Sequence, residues 1–315
     1  MATWPLAARA QQQPGNPPTV GVLSLASEEG YKNFLAALRE GLKQHGLVEG
    51  STLRLVVRYA DGKPERLDDL ARELVKEGSR IIIANGTTAV SAAQRGAPDL
   101  PIVMAGGGDA VEMGFAKSLA RPGGKITGMS TLREEVMGKS LELLKEAIPS
   151  ARAFLGIMQA ANPQNKLSRH TFETAAQTLG LRIEVHEIKA VQEIAGEFDW
   201  AVEHGIDGVL IIGDPIYQGH LEEVYRMAIE HRLASVALAT SWVRYGPLLG
   251  YSADSMVIAR DSMRYVSDIL RGADPATLPI EQPTAIQLSV NMKTARALGI
   301  TIPQSILQRA DEVIE

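Results

Sequence analysis

From residue 19 almost to the end of the chain, short continuous apolar runs alternate with stretches in which apolar residues recur every three or four positions. Residues 19–25 form the first run, the pattern of a strand covered on both faces. Tyr31, Phe34, Leu35, Leu38 and Leu42 then fall at helical spacing, which predicts an amphipathic helix. Residues 53–58 are the next strand, and Leu67, Leu70, Ala71, Leu74 and Val75 mark the next helix face. Residues 80–84, apolar after Arg80, and 101–105 are continuous runs bounded by turn residues, as central parallel strands are. The rhythm restarts near residue 150. Strands are expected at 153–158, 182–188, 208–212 and 235–239, with helices at 165–179, 192–204 and 218–231. One further helix is expected at about 255–270. This alternation predicts an α/β protein of two doubly wound, Rossmann-like lobes rather than one large sheet.

Doubly wound sheets hold ligands beyond the carboxyl ends of their strands, and those loops carry the candidate site. In the first lobe they contain Ser27 and Tyr31, then Asn85, Gly86, Thr87 and Thr88, then Asp109. In the second they contain Asn162, Asp214, Tyr217 and Trp242. Asn85-Gly86-Thr87-Thr88 joins a strand to a helix. Free N–H groups at a helix start, with two hydroxyls, suit a carboxylate or phosphate; a plain helix cap fits the same residues. Asp214 follows an apolar run, where it suits an ammonium, and a turn-forming role before Pro215 fits as well. Aromatic residues are only 5% of the chain, so the placement of Tyr31, Tyr217 and Trp242 near strand ends is informative: they would stack on a flat ligand or pack locally.

Composition narrows the function. There is no cysteine, and 32 basic against 37 acidic side chains give a net charge of −5 with no basic block. Disulfides and thiolate metal sites are excluded, and nothing points to nucleic acid. No apolar stretch reaches the ~20 residues of a membrane-spanning helix. Neither a Gly-x-Ser-x-Gly elbow, a phosphate-binding Walker loop nor a His-Glu-x-x-His motif occurs. No cofactor, metal or catalytic group is expected, Asp109 and Asp214 being the sole plausible carboxylate couple for an enzyme. At the start, Ala8-Arg9-Ala10 before Gln11 has the small-x-small pattern of a signal-peptidase site. Residues 1–17 are therefore expected to hold the remnant of an export signal and a disordered start to a periplasmic protein.

Several segments resemble one family along nearly the whole chain: Glu40-Gly41-Leu42 with Gly46-Leu47-Val48-Glu49-Gly50, Ser118-Leu119-Ala120-Arg121-Pro122-Gly123-Gly124, and Leu141-Glu142-Leu143-Leu144-Lys145. The closing stretch adds Leu278-Pro279-Ile280-Glu281-Gln282-Pro283-Thr284 and Asn291-Met292-Lys293-Thr294-Ala295. These look like the substrate-binding proteins of ABC importers for tryptophan and tyrosine. The resemblance implies a type I periplasmic binding fold with three crossings between lobes, expected near 128–132, 248–252 and 276–284. Residues 18–130 with 250–278 would form the first lobe, and 131–249 with 279–315 the second. It also implies a monomer that captures a small carboxylate-bearing solute, best an aromatic or branched amino acid. The implied partners are a membrane permease and its ATPase, through which alone the protein touches the membrane. Asp109-Ala110-Val111 departs from the family's usual Asp-Pro-Val, and Lys125 stands where Asn is frequent. A ligand-sensing domain of an extracytoplasmic receptor would share this fold, as would, less readily, an extracytoplasmic enzyme.

Overall fold

The computed structural model describes residues 16–315, so the expected export signal lies almost wholly outside the described residues. Strands β1 (Thr19–Ser24), β2 (Arg54–Tyr59), β3 (Ser79–Ala84), β4 (Ile102–Ala105) and β5 (Ile126–Met129) form a parallel sheet in the order β2-β1-β3-β4-β5. Helices α1 (Glu28–Gln44), α2 (Leu67–Lys76) and α3 (Thr87–Gly96) make its crossovers. The second sheet contains β6 (Ala153–Gln159), β7 (Arg182–Ile188), β8 (Gly208–Ile211), β9 (Ala234–Ala237), β10 (Leu249–Ser252), β11 (Gln287–Asn291) and β12 (Glu312–Ile314). Its order is β12-β11-β10-β9-β8-β6-β7, with β10 and β11 antiparallel. The helices of this lobe are α4 (Arg133–Ala147), α5 (Asn165–Leu179), α6 (Ile194–Glu203) and α7 (Leu221–Glu230).

Both lobes therefore repeat one winding: β7-β6-β8-β9-β10 has the order of β2-β1-β3-β4-β5. In this order the direction of winding reverses between the first and third strands, and the crevice there is where such sheets bind ligands. Asn85-Gly86-Thr87 follows β3, the third strand of the first lobe, and Asp214 lies just beyond β8, its counterpart in the second. The two switch points thus contribute equivalent loops.

The chain returns to the first lobe in α8 (Ser255–Asp261) and α9 (Met263–Leu270). The expected single helix over 255–270 is broken at Ser262, whose hydroxyl donates to Ala259 O at 3.0 Å and competes with regular helical bonding. Ile258, Met263 and Tyr265 join Phe34 and Leu38 of α1 in one buried cluster. The crossing expected at 248–252 is displaced. β10 is a full member of the second sheet, pairing with β9 and β11, so residues 250–252 lie with that sheet and the chain passes across after them. Near residues 128–130 and 281 two passages run side by side: Glu281 N donates to Gly128 O at 3.0 Å and Ser130 N to Glu281 O at 2.9 Å. The last segment, α10 (Met292–Leu298), α11 (Gln304–Leu307) and β12, completes the second lobe. No helix among the described residues is long and apolar enough to cross a membrane.

Candidate functional site

The lobes meet in close contact. A Cβ on Gly30, in the first turn of α1, would run into the backbone of Gln218 in the second lobe; on Gly86 it would lie 3.2 Å from the Pro215 ring. Only glycine permits so near an approach of two backbones. One hydrogen-bonded chain crosses the junction: Gly108 N donates to Thr87 Oγ1 at 2.9 Å, and Thr87 Oγ1 donates to Gln164 Oε1 at 3.2 Å. Gln164 Nε2 then donates to Glu134 Oε1 at 2.6 Å. The arrangement is closed.

Between the lobes is a cavity of about 140 Å³. Asn85, Gly86, Thr87, Asn162, Asp214 and Trp242, all expected from sequence, line it. Asp214 is 4% exposed. Its Oδ2 accepts from Asn162 Nδ2 at 3.0 Å and its Oδ1 from Ile216 N at 3.2 Å, leaving lone pairs for further donors. Burial pushes its carboxyl up from the ordinary value, against the opposing pull of Arg133 and the two donors. Asn85 is buried; its Nδ2 donates to Ala105 O at 2.9 Å, and its Oδ1 has no partner.

The remaining expected residues do not line the cavity. Ser27 caps α1, its hydroxyl accepting from Gly30 N at 3.3 Å. Asp109 Oδ1 accepts from Val111 N at 2.8 Å and Glu112 N at 3.0 Å and so closes its own turn. Thr88 is buried in α3 away from the cavity. Tyr31 and Tyr217 are wholly buried and act one layer back. Tyr31 packs on Phe34 with ring centroids 5.1 Å apart, and Tyr217 meets Trp242 edge-on at 6.2 Å. Burial raises both phenols well above their ordinary value, Tyr217 further through the charge of Asp214, so neither ionises in the physiological range.

Phe34 and Trp242 are the aromatic walls themselves, joined by Val136, Ile212, Leu238 and Ile258. Sequence periodicity places Phe34 on the core face of α1; it is that, and it also reaches the cavity. Arg133, the first residue of α4, was also missed. It lines the cavity, and its Nε is shut from solvent without a hydrogen-bond partner. The signal lay in its position, because a cation in the first turn of a helix opposes the helix dipole and calls for another reason to be there.

No group of metal-ligating side chains large enough to hold an ion occurs among the described residues. The cavity joins one carboxylate, one guanidinium, amides and aromatic walls; Asp109, the other member of the one carboxylate couple the sequence offers an enzyme, is not among the residues that line it. Such a lining can enclose a small polar molecule with an apolar body.

The family model for ABC transporter substrate binding protein matches residues 19–314. The chain belongs to that family. Its members bind solutes rather than convert them. A tyrosine-binding protein of Clostridioides difficile (strain R20291) is 22% identical over 290 residues, spanning 89% of this chain and 81% of that protein. Among solved structures, the ABC domain from Streptococcus pneumonia in complex with L-Trp superposes with a TM-score of 0.86 at 23% identity, covering 95% of this chain and 100% of that one. A ligand-free, open substrate-binding protein with adhesive properties from Clostridium difficile reaches 0.64 at 20% identity, over 94% of this chain and 99% of the other. The fold is the type I periplasmic binding fold.

Proposed function

We propose that this protein is the extracytoplasmic solute-binding component of an ABC importer and encloses an aromatic amino acid between its lobes. The observation that carries the reading is Asp214, a buried carboxylate with free acceptor capacity, facing a cavity whose walls are Phe34, Trp242 and aliphatic side chains. An ammonium gives such a group a charge-assisted hydrogen bond, roughly twice as strong as one from a neutral hydroxyl. An apolar cavity of about 150 Å³ holds benzene, so this volume suits a ring-sized body. The tyrosine-binding relative and the L-Trp complex support the same class. Membership of a substrate-binding family supports delivery to a permease and its ATPase outside the cytoplasm.

Calorimetry with L-tyrosine and its deaminated analogue, 3-(4-hydroxyphenyl)propionate, tests the ammonium contact. Asp214→Asn should weaken tyrosine by about 2–5 kcal/mol, the usual cost of breaking a buried charge pair, and the deaminated acid much less. Equal losses on both ligands would make Asp214 a structural residue and remove the basis of the reading.

A further inference from the structure

We infer that Arg133 reads the carboxylate of the bound amino acid, so that the second lobe holds both charged poles of the ligand. The inference rests on the amino-acid reading above and adds a residue and an order of events to it. Of the side chains lining the cavity, Asp214 and Arg133 are the charged ones. Asp214 takes its hydrogen bonds from Asn162 and Ile216 and none from Arg133. The guanidinium is close enough to be felt at Asp214 and Tyr217, yet its Nε has no partner at all. A guanidinium is a fork of five donors that matches a carboxylate in two parallel hydrogen bonds. In an α-amino acid the ammonium and carboxylate sit on one carbon, so a neighbouring anion and cation can receive both together.

Two further observations favour Arg133 over the hydroxyls at the start of α3. The Thr87 hydroxyl is already spent, donating to Gln164 and accepting from Gly108 N, and Thr88 does not reach the cavity. Arg133 also stands where its charge is unwelcome to its own helix: it opens α4, in a first turn that otherwise carries Glu134 and Glu135, at the end where the dipole favours anions. Burial costs the charge as well, lowering the guanidinium from its ordinary value. A ligand carboxylate offsets both penalties.

The consequence is an order of assembly. Arg133 and Asp214 both belong to the second lobe, whereas Phe34, Asn85 and Ile258 belong to the first. The zwitterion docks on the second lobe, and the first lobe closes on its side chain.

The test uses the full chain, with wild type, Arg133→Gln and Arg133→Lys titrated calorimetrically with L-tyrosine and with tyramine, the same molecule without its carboxylate. Arg133→Gln should weaken tyrosine roughly 30-fold or more while leaving tyramine within about threefold, and Arg133→Lys should recover part of the loss. Equal weakening of both probes would show that Arg133 merely supports the fold, and an unchanged tyrosine affinity would place the carboxylate elsewhere; either overturns the assignment alone. A wild type that binds neither tyrosine nor tryptophan would overturn the amino-acid reading and this assignment with it.

Discussion

Asp214 couples the site to pH. Its carboxyl is raised above the ordinary value of 3.8 mainly by burial, so the folded, unliganded chain holds this proton more tightly than the unfolded chain does. The sign follows: the buried charge costs stability above the folded pKa, and that cost is relieved as pH falls through it. Ligand binding runs the other way, because an ammonium needs the carboxylate. Tyrosine affinity should be full above the raised pKa and drop by about tenfold per pH unit below it, with a proton released on binding. Arg133 and Tyr217 face the same carboxylate, and Glu134, also raised by burial, lies beside Arg133. Affinity measured against pH in Asp214→Asn separates the contributions: a flat profile is expected, and a slope equal to that of wild type would assign the titration to another group. At this scale the sequence was half legible. Asp214, Asn162 and Asn85 were marked by their place after strands, which topology turns into a shared cavity. Tyr31 and Tyr217 were marked by the same logic but point into the packing behind Phe34 and Trp242, a choice of side-chain direction that a loop position does not encode.

At the scale of elements, the continuous apolar runs of β3, β4, β6 and β8 made the two sheets readable, since parallel strands covered on both faces need no alternation. β10 was less readable, because Leu249-Gly250-Tyr251-Ser252 is short and carries a glycine and a serine; its strand state is set by β9 and β11 on either side. The junction between α1 and the loop following β8 yields a prediction of opposite signs. Gly30 lies in the first turn of α1, where alanine is the better helix former by up to about 1 kcal/mol, but a methyl there collides with the Gln218 backbone when the lobes are closed. Gly30→Ala should therefore leave the unliganded protein as stable as wild type or slightly more so, while weakening tyrosine at least about tenfold, since the closed state is penalised. Thermal unfolding without ligand and calorimetry with it check the two halves. Loss of stability together with unchanged affinity would mean that this contact belongs to the open fold as well.

For the whole molecule, the claim is that ligand and closure are one event. The same winding in each lobe turns two switch points toward each other, and two lobes joined by few strands are expected to open and close as rigid bodies. A ligand that touches both lobes favours the closed state by its differential affinity. The contacts between lobes at Gly30, Gly86 and Thr87–Gln164 accord with that coupling. Small-angle X-ray scattering with and without L-tyrosine, at a concentration that calorimetry shows to be saturating, tests it most directly. The account predicts a smaller radius of gyration on saturation in wild type and a much reduced change in Gly30→Ala. An unchanged radius in wild type under saturating tyrosine would contradict capture between closing lobes.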